Sequence, residues 1–205
     1  MKVLNINTWN RKQHFEHFSG LLDPYFAVTI PFNVMSTYQF SKENNISFFA
    51  TYLHDCLKAI NEVKALKLRI LENDVVEFDT IHASATIMRA DNTFGFSFID
   101  FHSDLSIFVQ NIEKEKERIN ASYELYPPKN GLDCIHCSAL PWLNFTGHKE
   151  PVSKKQDSVP KLAFGKAVKT SKDMIMNVSI NANHALVDGY DIGLFSEKFQ
   201  YFLNK

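Results

Sequence analysis

The strongest constraint in the chain is the alternation from Met174 to Asn183. Met174, Met176, Val178, Ile180 and Ala182 fall on one side, and Asn177, Ser179, Asn181 and Asn183 on the other. Successive strand residues point to opposite faces, so this segment demands a sheet with one apolar face and one polar face. The period then changes. From about Asp191, the residues Ile192, Phe195, Phe199 and Phe202 recur at spacings of three, four and three, which is the stripe of an amphipathic helix. A one-faced strand followed by a one-faced helix calls for at least two packed layers.

Helical period recurs upstream. Thr8 is placed to cap a short helix carrying Trp9, His14, Phe15 and Phe18, and Ser47 one that carries Phe49, Leu53, Cys56, Leu57 and Ile60. A third helix starts near Asp104 with Leu105, Phe108, Ile112 and Ile119 in a stripe. Its charged run, Glu113 to Arg118, reads as a solvated surface. Phe26–Phe32, Val75–Met88 and Phe94–Phe98 have the composition of strands. The expected fold class is α/β: a two-layer sandwich with a mixed β-sheet packed against helices. The 205 residues fit one domain, 1–205, with a full core. The polar stretch His148–Pro160 reads as a loop or hairpin as readily as a boundary.

Charge excludes some functions. With 22 basic against 23 acidic side chains the net charge is -1, so no global field favours nucleic acid or anionic lipid. No window approaches the roughly 18 apolar residues of a membrane span, and the start lacks the apolar core of a secretory signal. Three cysteines do not make a disulfide scaffold. The expected location is cytoplasmic, with neither nucleic acid nor membrane as partner. Phenylalanine, at 18 residues, points to an aromatic core, an apolar pocket, or both.

Chemistry concentrates at Asn183-His184-Ala185-Leu186-Val187-Asp188-Gly189-Tyr190. A histidine leaving an apolar strand is placed to act as a general base, because desolvation disfavours the imidazolium. The plainer reading is a hydrogen-bonded core histidine, with Asp188 capping the final helix. Cys134-Ile135-His136-Cys137, with His148 nearby, supplies one ligand pair where structural zinc needs two, so no metal is expected. Cys56 belongs to a core stripe. His14 and His17 share a helix face without a third ligand. There is no Gly-rich phosphate loop.

His184 to Gly189 resembles the His-His-x-x-x-Asp-Gly signature of chloramphenicol acetyltransferases. Trp9-Asn10-Arg11-Lys12-Gln13-His14-Phe15 resembles that family's Trp-x-Arg-x-x-His-Phe, and Ser138-Ala139-Leu140-Pro141-Trp142-Leu143-Asn144-Phe145 its Ser-Ala-x-Pro-Trp-x-x-Phe. Gly165-Lys166 and the closing helix match in order, so the resemblance covers nearly the whole chain. It implies acetyl transfer from acetyl-CoA, a co-substrate and not a bound cofactor, to a hydroxyl of chloramphenicol in a ternary complex. His184 would be the base and Ser138 the oxyanion donor, with Asp188 and Arg11 a buried ion pair shaping the site. It also implies a homotrimer with sites between subunits.

The sequence departs from the pattern at several positions. Asn183 replaces the first histidine of the signature. Of the residues the resemblance places at the acceptor, Phe18, Phe26, Phe94, Phe96, Tyr126 and His148, Phe18 stands where a tyrosine hydroxyl is expected. Tyr126 replaces a phenylalanine, and Phe96 a small residue. His148 and Glu150 replace apolar residues, and Ala163 a threonine. These changes imply weak activity on chloramphenicol or another hydroxyl acceptor. A non-catalytic trimeric binding protein of the same fold is the remaining alternative, opposed by the joint retention of His184, Ser138, Arg11 and Asp188.

Overall fold

A computed structural model of the chain describes residues 1–151 and 157–205; the centre of the polar stretch His148–Pro160 lies outside the described residues. In chain order the elements are β1 (Lys2–Val3), α1 (Lys12–Ser19), β2 (Tyr25–Asn33), α2 (Met35–Glu43), α3 (Phe48–Glu62), β3 (Leu68–Leu71), β4 (Asp74–Glu77), β5 (His82–Met88), β6 (Phe94–Phe96), α4 (Leu105–Asn120), β7 (Cys134–Ala139), β8 (Lys161–Lys169), β9 (Met174–Asn183) and α5 (Gly189–Leu203).

Six strands form the main sheet in the order β2-β9-β8-β7-β5-β6. β7 lies parallel to β5 and β8, and the other pairs are antiparallel. The apolar residues of β9 sit in the core with Phe164, Phe195 and Phe199, under α3 and α5. The two-layer α/β sandwich with a mixed sheet is therefore the observed architecture. A small sheet, β1-β4-β3, stands beside it.

The polar face of β9 is also covered: Ser179, Asn181 and Asn183 are buried. Their side chains are satisfied by the segment after β7. Ser179 Oγ donates to the His148 carbonyl at 3.3 Å, Asn181 Oδ1 accepts the Glu150 amide at 3.4 Å, and Asn183 Nδ2 donates to the Asp157 carbonyl at 2.9 Å. Buried polar groups are tolerated when partnered in this way. Gly165 lets the same segment approach β8, since a Cβ there would lie 3.0 Å from the Asn177 carbonyl and 3.2 Å from that of Leu143.

Several expectations need correction. Thr8 does not cap a helix: Ile6–Thr8 is a single 3-10 turn capped by Asn5, Trp9 is extended, and α1 begins at Lys12 with Arg11 as its N-cap. The bend turns Arg11 towards α5. Val75–Met88 is two strands in different sheets, because the chain leaves β4 at Glu77 and enters β5 at His82. The strand Phe94–Phe98 ends at Phe96. The last helix starts at Gly189, two residues early, because Asp188 and Asp191 form a capping box. The charged run of α4 is not solely a solvated surface: Glu115 accepts the Phe98 amide at 2.8 Å, and Arg118 donates to the Phe96 carbonyl at 2.7 Å. These two side chains close the open edge of β6.

Candidate active site

His184 follows the last residue of β9 and is held from three sides. Its amide donates to the Pro24 carbonyl at 2.8 Å, which fixes it against the start of β2. Phe18 of α1 stacks on the imidazole at 4.0 Å between ring centroids with planes 6° apart, and Phe26 of β2 flanks it at 4.6 Å. Nδ1 is buried with no partner among the described residues. Asn183 shapes the turn beneath: its Oδ1 accepts the Ala185 amide at 2.9 Å, and its carbonyl accepts the amides of Leu186 and Val187, both at 3.0 Å. Asn183 thus folds the backbone that carries His184.

Arg11 pairs with Asp188 through Nη1 and Oδ2, and its Nη2 donates to the His184 carbonyl at 3.3 Å. The other Asp188 oxygen accepts the Tyr190 amide at 3.0 Å, so the plainer reading of Asp188 as a helix cap holds alongside the ion pair. Partial burial pushes the Asp188 carboxyl up, but the hydrogen bond and charge of Arg11, with the amides of Tyr190 and Asp191, outweigh it and leave the group below 3.8. The pair is not fully buried: in the single chain the side chains are 18% (Arg11) and 35% (Asp188) exposed.

Ser138 lies elsewhere. It is near the end of β7, paired with Ala163 of β8, which pairs in turn with Ser179 of β9. Thr86 Oγ1 of β5 donates to Ser138 Oγ at 3.4 Å, and Thr86 is paired with Phe96 on β6. Phe96 stacks on Tyr126 at 5.5 Å and contacts Phe94 edge-on at 5.5 Å. From Ser179 to His184 is five residues along β9. At ~3.3 Å per residue and ~4.8 Å per strand, His184 and Ser138 of one chain stand about 19 Å apart. The expected residues therefore form two groups. His184, Arg11, Asp188, Phe18 and Phe26 meet at the end of β9. Ser138, Phe94, Phe96 and Tyr126 meet on the outer face near the other edge. His148 sits between, its Nε2 3.6 Å from Glu150 Oε1, over the row of β9 that holds Ser179.

A profile of the chloramphenicol acetyltransferase family matches residues 1–200. The chain belongs to that family. It is similar to a chloramphenicol acetyltransferase of Campylobacter coli, 26% identical over 209 aligned residues covering 98% of each protein, and to one of Proteus mirabilis, 22% identical over 202 residues, 97% of this chain and 93% of that protein. A solved chloramphenicol acetyltransferase superposes with a TM-score of 0.87 at 26% identity over 98% of this chain and 99% of the other. The fold is shared with a probable dihydrolipoamide acetyltransferase of Listeria monocytogenes, at a TM-score of 0.71 and 13% identity over 93% of this chain and 88% of that one. The chain is thus an acyltransferase, and the reaction of the chloramphenicol acetyltransferase family is the transfer of an acetyl group to chloramphenicol.

Thr86, Arg89 and the carbonyl of Pro24 escape sequence reasoning. The alternation of Ser84 and Thr86 with Ala83 and Ala85 marks a two-faced strand, but Ser138 is 52 residues distant, and only the pairing of β5 with β7 joins them. The same alternation separates the cysteine pair. Cys134 and Cys137, an odd number of residues apart on β7, face opposite sides of the sheet, where one ion cannot reach both. Burial pushes the Cys134 thiol up to about 12, and those of Cys137 and Cys56 upward as well. No helix among the described residues is long and apolar enough to cross a membrane.

Proposed function

We propose that residues 1–205 act as one catalytic domain that transfers acetyl from acetyl-CoA directly to a hydroxyl of chloramphenicol, at sites built between the subunits of a homotrimer. The observation that carries the chemistry is the clamped imidazole of His184, whose buried Nδ1 leaves Nε2 as the nitrogen a substrate can reach. Nε2 takes the hydroxyl proton as the oxygen attacks the thioester carbonyl. The Ser138 hydroxyl donates to the oxygen of the tetrahedral intermediate. Collapse expels the CoA thiolate, which recovers the proton from the imidazolium. Arg11 and Asp188 hold the backbone at His184 and do not relay charge.

A base and an oxyanion donor must both lie within a few ångströms of the reacting carbon, and about 19 Å cannot be bridged by side chains on a rigid sheet. A second copy supplies the missing half. Exposed apolar side chains lie close in sequence to each group: Leu21, Leu22 and Tyr190 to Phe18 and His184, and Trp142 and Leu143 to Ser138, with exposed Tyr126 stacked on Phe96. Such surfaces are expected where copies meet.

A second acceptor reading rests on Phe18, whose ring against the base offers no hydroxyl. On it, other alcohols are turned over faster than chloramphenicol.

The test is CoA-thiol release from acetyl-CoA and chloramphenicol. His184→Ala should lose about 10²–10⁴-fold in kcat. Folded protein that releases thiol equally well without His184 sinks the mechanism. Mixing His184→Ala with Ser138→Ala subunits after unfolding and refolding should restore about a quarter of the sites, because intact halves meet at random across a heterologous interface. No recovery in verified mixed oligomers sinks the shared site.

A further inference from the structure

Arg89 is buried, 9% exposed, at the end of β5, and among the described residues no carboxylate faces it within hydrogen-bonding distance. Its guanidinium instead donates to oxygens of three separate segments. Nε reaches the carbonyls of Ile119 and Ser122, both at 3.0 Å, and Nη2 that of Glu124 at 2.8 Å. Nη1 reaches the Phe94 carbonyl at 2.7 Å and Thr93 Oγ1 at 3.3 Å. The rigid fork of donors suits this task, which a lysine ammonium cannot reproduce. Gly95 makes the room: a Cβ there would lie 2.9 Å from Arg89 Nη2.

The joined segments lead to one place. The segment fixed at Ser122 and Glu124 continues into Leu125, whose carbonyl accepts the Phe96 amide at 2.8 Å, and Tyr126, whose ring stacks on Phe96. Phe96 is paired with Thr86, which touches Ser138. We infer that Arg89 is a positioning residue for the acceptor side of the site: it ties the end of α4 and residues 121–126 to the β5–β6 hairpin, and so sets the Phe96–Tyr126 pair beside Ser138. This inference rests on the assignment of Ser138 to the reacting centre.

A purely structural arginine would affect both substrates alike; a positioning one affects the acceptor through Tyr126. The experiment compares wild type, Arg89→Lys, Tyr126→Ala and the double variant. Arg89→Lys should raise the chloramphenicol KM by at least about tenfold, since misplacement by an ångström can cost a hundredfold. The acetyl-CoA KM should stay within about twofold, and the Arg89→Lys effect should largely vanish once Tyr126 is gone, as expected for coupled residues. Parallel changes in both KM values, or additive effects in the double variant, overturn the inference. If Arg89→Lys does not fold, Gly95→Ala displaces the guanidinium while keeping its charge and should give the same split. Hydrogen exchange supplies a readout without turnover. Amides of Phe96 and residues 121–126 should exchange faster in Arg89→Lys, and those of β9 should not; unchanged exchange at Phe96 overturns the clamp even if chloramphenicol proves not to be the acceptor.

Discussion

Asp188 has two separable tasks, and replacing it in two ways distinguishes them. Oδ2 pairs with Arg11, and Oδ1 caps α5 through the Tyr190 amide. Asp188→Asn keeps an oxygen for the cap but loses the charge. Asp188→Ala loses both. A buried pair broken on one side would cost about 3–5 kcal/mol. That figure is too high here, because both groups keep contact with water, at 18% and 35% exposure in the single chain. An exposed pair is worth up to about 1 kcal/mol, and a lost N-cap costs about 1 kcal/mol more. The expectation is about 1 kcal/mol for Asp188→Asn and about 2 kcal/mol for Asp188→Ala. Equilibrium urea unfolding measures both, with protomer concentration held fixed because assembly shifts apparent stability. Equal losses in the two variants would refute the capping role, and wild-type stability in Asp188→Asn would refute the ion pair.

The pH dependence follows from the same carboxyl. Its pKa in the folded chain is depressed below 3.8, so the folded chain binds this proton less readily than the unfolded chain does. The stability it contributes is present above about pH 4 and lost as pH falls through the folded value. Wild type and Asp188→Asn should therefore differ at neutral pH and converge in acid. A difference that grows in acid contradicts the assignment.

Three further outcomes are expected. Ser138→Ala should lower kcat by about 10²–10³-fold, or about 2.7–4 kcal/mol of barrier, with little change in the acetyl-CoA KM; steady-state kinetics checks this. Gly165→Ala should destabilise by about 1–3 kcal/mol, because its Cβ meets two backbone carbonyls that cannot swing aside, and urea unfolding would show it. Phe199→Ala, in the fully buried stack with Phe195 and Phe32, should cost about 3–5 kcal/mol, read from the unfolding midpoint.

What could be read from the sequence were features whose cause is local. The alternation of β9 and the stripe of α5 each repeat a polarity pattern over ten or more residues, and both elements are present there, although the polar row of β9 is buried as well and α5 begins two residues early. α2 has no such pattern: its buried residues are Thr37 and Ser41, satisfied by the carbonyls of Leu203 and Tyr38 at 2.8 and 2.7 Å. One of those partners is 166 residues away, so polarity alone hides the helix. The start of α1 escapes the sequence pattern for a similar reason. Thr8 has the chemistry of a cap, but the turn that follows it serves the meeting of Arg11 with Asp188, which lies 177 residues away. Of the proposed site, His184 and Ser138 can be read through their motifs. Pro24 and Thr86, which touch them, act through a backbone carbonyl and a single hydroxyl, contacts that leave no periodic trace.

The two levels of organisation place different demands on the chain. Its core is satisfied within one copy, since the sheet buries its apolar face under α3 and α5 and its buried asparagines find partners in the same chain. On the shared-site reading the site is not, because the proposed base and oxyanion donor stand about 19 Å apart on that sheet. On the shared-site reading, the rigidity that separates the two groups within a chain also sets them across an interface, since a stiff sheet carries each half at a fixed position relative to its own contact surface. Small rigid-body changes between subunits then alter reacting distances directly, while leaving each fold intact. That separates two kinds of damage. A lesion in the core of β9 or α5 acts through the folded population. On the shared-site reading, a lesion at exposed Trp142, Leu143 or Tyr190 should act through the geometry between copies, and lose turnover from chains that remain folded.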